Sequence, residues 1–293
     1  MIYRIIAFAL LLGSCVNAQE PSNMKGTDKG MHKYWYGGEA EISSYKLEQA
    51  RYGELREGTS VLVFVTEPFS AKDLVKSDYA SDDDVPVLKL NRTKNFITGV
   101  YPYSMMTSTF MPFDNPEHSL KISSSSQEWC GHTYMELENR KGFTINTRSY
   151  FQGESGERKM PSSLLEDDIW TQIRLKPNDL PTGKIKMLPS FFFMRMMHID
   201  VKAYECMASL EKSDSNTWVY KLDYPELDRD LEIHFSSNFP YKIQSWNETF
   251  KDGFGPNKKV LTTKATLINS IMSPYWSKHS NADLGLRKEL GLD

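Results

Sequence analysis

The stretch Gln127-Glu128-Trp129-Cys130-Gly131-His132-Thr133-Tyr134 collects the residue types that do nucleophilic or metal chemistry. Read as a strand, it sorts by parity. Glu128, Cys130, His132, Tyr134 and Glu136 share one face, and Trp129, Thr133, Met135 and Leu137 form the other, the core face. The first face sets a thiol, an imidazole, a phenol and two carboxylates in a row, roughly 7 Å between neighbours. Two chemistries use these types. Cys130 is a nucleophile with His132 as its base, the pattern of an envelope hydrolase or transferase, or Cys130 and His132 are half of a zinc set. The spacing is long for a direct thiol–imidazole hydrogen bond, and no second ligand pair accompanies it. The sequence therefore implies no metal and no cofactor, and it favours a non-catalytic, polar or cavity-lining face.

Outside Cys15, the cysteines are Cys130 and Cys206, 76 residues apart. In an oxidising compartment such a pair suggests a disulfide, and closing so long a loop stabilises by roughly 3–5 kcal/mol. The alternative is two separate buried thiols. A second candidate is Pro189-Ser190-Phe191-Phe192-Phe193-Met194-Arg195-Met196-Met197, apolar on both faces. It predicts a central strand covered on both sides. The other reading is that Met194 and Met196, helped by Met105, Met106 and Met187, line a cavity for a hydrophobic ligand. Glu128, Tyr134, Met194 and Met196 are thus the candidate binding residues. Nucleophile elbows, zinc-protease pairs and phosphate or dinucleotide glycine loops are absent from the sequence.

The elements that must position these residues alternate with period two between short Asn-, Asp-, Gly- and Pro-rich links. Strands are predicted at 39–52, 60–66, 86–90, 96–109, 120–124, 128–137, 143–151, 183–188, 191–197, 201–210, 217–224, 231–235, 241–249 and 259–269. Short links mean antiparallel neighbours. One helix, 163–175, opens with Ser163 and Glu166 at capping-box spacing and divides the β-rich chain into two halves. A short C-terminal helix, 281–290, starts at Ser280 with Asp283 three residues on and is expected across a sheet edge. The fold class is mostly β: one large curved antiparallel sheet, a half-barrel or barrel-like meander, with a central helix and a short C-terminal helix.

Arg4 followed by an apolar run from Ile5 to Leu12 and then Gly13-Ser14-Cys15 reads as a secretory signal peptide. The run is too short to span a bilayer, which takes roughly 20 residues. Leu12-Gly13-Ser14-Cys15 has the form of a bacterial lipobox, which would make Cys15 the acylated mature N-terminus and the lipid anchor. Cleavage after Ala18, giving a soluble periplasmic protein, is the alternative. The predicted organisation is a signal peptide at 1–14, a flexible tether at 15–33 and a single antiparallel β domain at 34–293. A net charge of −3 argues against a nucleic-acid partner.

Tyr34-Trp35-Tyr36, the segment 45–58, the segment 101–110, the segment 127–132 and Tyr224-Pro225-Glu226-Leu227 resemble a family of exported, uncharacterised proteins of Gram-negative bacteria, over nearly the whole mature chain. Members are sometimes labelled septum formation inhibitor Maf, but the Ser-Xaa-Ser-Pro-Arg-Arg motif of the Maf pyrophosphatases is absent from this sequence. The meander with an intervening helix also resembles lipoprotein-carrier half-barrels, whose curved sheet wraps a hydrophobic cavity. Together these readings imply a membrane-anchored lipoprotein of the cell envelope. It would bind a hydrophobic ligand or an envelope partner on the concave face of the sheet. The alternatives are a hydrolase or transferase built on Cys130 and His132, and a structural component of a surface complex.

Overall fold

The computed structural model describes residues 28–293 except 80 and 82. The leader, Cys15 and the cleavage site after Ala18 lie outside the described residues. The first element of the described residues is a helix, α1 (Asp28–Trp35), which takes up the last part of the expected tether. Trp35 is buried against Phe64, and its carbonyl accepts from the Thr66 hydroxyl.

Nine strands follow: β1 (Ala40–Arg51), β2 (Glu54–Ser70), β3 (Val75–Lys76), β4 (Asp84–Thr98), β5 (Tyr101–Pro112), β6 (Lys121–Glu128), β7 (Gly131–Asn139), β8 (Phe143–Ser149) and β9 (Gly156–Met160). The second half holds β10 (Leu164–Leu165), α2 (Glu166–Leu175), β11 (Gly183–Leu188), α3 (Phe191–Met197), β12 (Tyr204–Lys212), β13 (Thr217–Tyr224), β14 (Arg229–Ser236), β15 (Ile243–Asp252), β16 (Lys259–Ser273) and α4 (Gly285–Glu289). All strands join one sheet. Its spatial order runs β10-β11-β12-β13-β14-β15-β16-β1-β2-β4-β5-β6-β7-β8-β9, with β3 beside β2. The first strand is therefore central, because β16 returns to pair with β1 from Ala40↔Ser273 to Glu48↔Lys264. The sheet stays open, its two edges formed by β9 and β10, and the short β10–β11 contact is its parallel pair.

Alternation along the strands decides what faces inward. On β4, Leu88, Leu90, Arg92, Lys94 and Phe96 are buried while Asn95 and Ile97 are exposed. The core merges side chains from both halves: Tyr45, Leu62, Phe64 and Leu90 pack with Ile169, Trp170, Phe192, Ile233 and Trp246. The concave face, expected to bind a ligand, is instead occupied by α2 and α3. Nine of the ten α2 residues are buried, charged ones included.

Several boundaries differ from the sequence expectation. The strand expected at 96–109 is broken at Gly99-Val100, where β4 turns into β5. The strand expected at 191–197 is the helix α3, with Ser190 as N-cap accepting from Phe192 N–H and His198 as a left-handed C-cap. A short run apolar on both faces carries no period, so its helical and strand forms look alike in sequence. The helix expected from 163 begins at Glu166, because Glu166 reaches Arg229 instead of closing a capping box with Ser163. At the C-terminus the Ser280–Asp283 capping box does form, over a short 3-10 turn preceding α4. This tail crosses the middle of the outer sheet face, not an edge: Leu290 packs with Ala40, Ile42 and Val65.

Candidate functional site

The turn Trp129-Cys130 divides the expected row of reactive side chains. Gln127 pairs with His132 and Glu128 with Gly131 across that hairpin. His132 projects outward and is exposed, whereas the Glu128 side chain points inward, accepts from Cys130 N–H at 2.5 Å and lies 3.7 Å from Arg195. Tyr134 is outward on β7 and donates to Glu136 at 2.6 Å. Thr133, Met135 and Leu137 do form the core face, but Trp129 sits on the turn tip in solvent. Cys130 and Cys206 are both free. Cys206 faces the core from β12, opposite Ile185, and burial pushes its thiol up to about 12, so the bridge read from the sequence is not made. Met194 and Met196 are buried in α3 and fill the space the sheet encloses.

The interior polar groups neutralise one another. Arg229 makes a two-pronged contact with Glu166 at 2.5 and 2.7 Å and also meets Glu248 at 2.7 Å. Arg92 binds Asp167 at 2.6 Å and Ser190 at 2.8 Å, and Asp167 also takes Phe191 N–H. Lys94 donates to Gln49 at 3.0 Å and lies 3.5 Å from Glu248. Burial would raise the Glu248 carboxyl, but Arg229 and Lys94 outweigh it and hold the group at about 2. Burial lowers the pKa of Lys94. The residual cavity among Arg92, Lys94, Glu166, Arg229 and Glu248 is about 10 Å³, at the threshold for one water. At the far end of α2, Arg174 grips Glu41 through both nitrogens at 2.7 and 2.6 Å, and Tyr34 donates to the same carboxylate. These groups lock the helix in place and meet no solvent-accessible reactant.

Exposed chemistry is concentrated at one end of the sheet. Because neighbouring strands alternate in direction, the turns at 52–53, 99–100, 129–130, 150–155, 225–228 and 253–258 all fall on the same rim. Val100 (78 % exposed), Tyr150 (74 %), Phe254 (72 %) and Trp129 (71 %) stand on these turns, with Leu55, Ile97 and Val260 exposed beside them. The rings connect: Phe254 stacks on Tyr52, Tyr52 meets Tyr103, Tyr103 meets Tyr101, and Trp129 stacks on Tyr101. Tyr52 holds a left-handed backbone (φ 59°), a conformation costly for a bulky residue and concentrated at functional sites. Beneath the rings, Arg51 lies 4.2 Å from the Tyr52 ring centre and donates to the hydroxyls of Tyr52 (3.2 Å) and Tyr103 (3.1 Å) and to Met196 C=O (2.8 Å). Beside it, Arg195 donates to Thr133 at 2.8 Å and stacks on Phe151 at 4.6 Å; His198 links it to Glu154.

Of this rim, sequence reasoning identifies only Trp129 and its neighbours, and it assigns Trp129 to the core. Arg51, Tyr52, Tyr101, Tyr103 and Phe254 escape it. The available signals were the Tyr52-Gly53 and Gly99-Val100 pairs, which have hairpin form once the strands are split there. Two open concavities lie elsewhere. One of about 420 Å³ at the opposite end is lined by His118, Gln172 and Lys176, and one of about 460 Å³ on the outer face by Asp223, Asp230 and Thr249.

No protein-family model matches the chain, and no curated protein does. Among solved structures, a β-barrel-like protein of a domain of unknown function, DUF1849, from Brucella abortus aligns over 80% of this chain and 98% of its own, at 6% identity and a TM-score of 0.47. A porin-like protein from Bacteroides uniformis aligns over 78% of this chain and 95% of its own, at 7% identity and a TM-score of 0.22.

Proposed function

We propose that this chain is a non-catalytic binding module of the cell envelope, anchored through Cys15, that docks an envelope protein on its aromatic rim. The observation that carries the reading is the row of exposed rings on turns at one end of the sheet. Contiguous exposed apolar surface of this kind marks interaction sites, and Trp, Tyr and Phe are the residues enriched in them. Three ion pairs border the rim, Arg56 with Glu54, Lys251 with Asp228 and Lys202 with Glu226, while Lys258 and Lys259 beside Phe254 have no carboxylate partner among the described residues. The paired charges favour a protein partner, and a lipid one is an outcome of the test below. Helix α1 packs at the opposite end, where Tyr36 meets Phe113 and Tyr34 meets Phe239. The stretch from Cys15 to Asp28 reaches at most about 45 Å when extended.

The test is site-specific photo-crosslinking of the full chain in its native envelope. A photoreactive residue is placed at Val100, Trp129 or Phe254, with Tyr79, exposed at the other end, as control. Discrete protein adducts from the rim positions and none from position 79 support the reading. Adducts to lipid only, or the same pattern from all positions, refute it.

A further inference from the structure

Buried arginines in this protein fall into two groups. Arg92, Arg174 and Arg229 each contact a buried carboxylate at hydrogen-bond distance. Arg51, which is buried beneath the rim, has no carboxylate among its partners in the described residues. Arg195 lies close to it, since Arg51 donates to the carbonyl of the adjacent Met196. One Arg195 nitrogen, Nη2, is buried without a hydrogen-bond partner, and its nearest carboxylate, Glu128, is 3.7 Å away.

A count of protons gives the same imbalance. Tyr101 donates to the Tyr52 oxygen at 3.4 Å. Tyr52 and Tyr103 are 2.7 Å apart, and only one of them can donate to the other. Arg51 adds its own N–H groups to both oxygens. One of these two hydroxyl hydrogens therefore has no acceptor among the described residues. Tyr103 is the deeper, so the arrangement that buries no orphan has Tyr103 donating to Tyr52 and leaves the Tyr52 hydrogen facing the rim. A cluster with a surplus cation and a surplus donor calls for an anionic acceptor.

We infer that the Arg51–Tyr52–Tyr103 cluster receives a carboxylate from the docked partner, an Asp or Glu side chain or a chain terminus, with the Tyr52 hydroxyl as first donor and Arg51 supplying the charge. This rests on the reading of the rim as a protein-docking surface. Arg195 adds a second guanidinium behind the first, its charge offset by Glu128 at 3.7 Å and by Glu154 through His198, so the charge for the carboxylate comes from Arg51. The rings of Tyr101, Trp129 and Phe254 supply apolar contact around the carboxylate and exclude water from it.

The test uses the full chain with its arginines labelled for NMR, titrated separately with acetate and with inorganic phosphate at constant ionic strength. Acetate is expected to shift the Arg51 Nε–H signal saturably while those of Arg92, Arg174 and Arg229 stay in place. Tyr52→Phe removes one hydrogen bond to a charged group and should weaken acetate binding about tenfold or more. The inference is overturned if Arg51 responds no more than those three arginines, if Tyr52→Phe leaves acetate binding unchanged, or if phosphate alone binds, which would reassign the site to a phosphorylated group. Crosslinking from Trp129 separates the two readings: adducts with a silent Arg51 sink the carboxylate site alone, and acetate binding without adducts sinks the docking partner alone.

Discussion

Removing Arg174 isolates what the buried ion pairs do for this fold. Glu41 is fully buried on β1, and its charge is tolerated because Arg174 meets both oxygens and Tyr34 donates to it. Burial alone would raise this carboxyl, but the Arg174 charge and hydrogen bonds outweigh burial and bring it from 4.5 to about 2. Arg174→Met strands a buried carboxylate and should cost about 3–5 kcal/mol at pH 7. With a urea slope of about 3 kcal/mol per M, the unfolding midpoint falls by roughly 1–1.7 M. Glu41→Gln/Arg174→Met removes both charges. It should recover about 2 kcal/mol or more of that loss. The contacts of Arg174 with the Trp35 and Phe64 rings are missing from both variants and cancel in the comparison.

The pH dependence is an independent check. In the wild-type fold Glu41 titrates below its unfolded value, so its contribution is complete above about 4.5 and is lost as the pH falls toward 2. In Arg174→Met burial is opposed only by the Tyr34 hydrogen bond and the Lys242 charge, the carboxyl is expected to titrate above 4.5, and acid relieves the penalty. The deficit of the single variant should therefore shrink between pH 7 and pH 4, by about 1.4 kcal/mol for each pH step below the new titration point. Urea melts of the full chain at both pH values decide the matter. Equal destabilisation of the single and double variants, or a deficit that does not change with pH, refutes the reasoning.

Glu248, held at about 2 by Arg229 and Lys94, follows the same sign, so wild-type stability should hold to about pH 4.5 and then fall steeply toward pH 2, as read by thermal melts across that range. A Cβ at Gly131 would stand 2.6 Å from the Phe151 ring, so Gly131→Ala should cost roughly 1–3 kcal/mol and loosen the Phe151 contact with Arg195, seen as a lower melting temperature. Thiol titration of a Cys15→Ala chain should find one fast group, Cys130, and a second only after unfolding, because Cys206 is buried and its thiol pushed up to about 12. Ending the chain at Pro274 would bare Ile42, Val61, Val63 and Ile271 on the outer face, and size-exclusion chromatography should then show self-association.

How much of this was legible in the sequence follows from what repeats locally and what does not. Strands with one wet face, such as β7 and β14, show alternation in the sequence, and their inward residues are those the pattern selects. The two-residue turn leaves no break in the apolar pattern, so the pattern carries β7 back through Trp129-Cys130 to Glu128 and places Trp129 in the core, whereas the Glu128–Gly131 pairing reverses the parity there. The identity of α3 depends on Ser190 capping a run with no apolar period, a signal that is outweighed by the three strand-favouring aromatics Phe191, Phe192 and Phe193. The Glu-Asp-Asp start of α2 looks like an ordinary solvated first turn. Its partners are far away in sequence: Arg229 for Glu166, Arg92 for Asp167, Ser119 for Asp168. The return of β16 to β1 closes the two halves on each other and brings Arg92 and Ser119 to the helix.

That inverted interior also bears on where function can reside. Carrying an apolar ligand on a curved sheet requires an unfilled concave face, yet here that face is occupied by two helices fixed by three consecutive carboxylates, two of them paired with arginines, and by the Arg174–Glu41 ion pair. Each pair costs desolvation that packed apolar residues would avoid, so the pairs fix where α2 sits more than they add stability. With the interior committed in this way, the proposed docking role falls to the surface. The exposed rings and the two buried arginines without a carboxylate at hydrogen-bond distance, Arg51 and Arg195, lie at the same rim, although Arg229, directly after the 225–228 turn of that rim, is paired with Glu166 and Glu248. Under the proposed docking role, an arginine left uncompensated costs stability unless something outside the chain completes it.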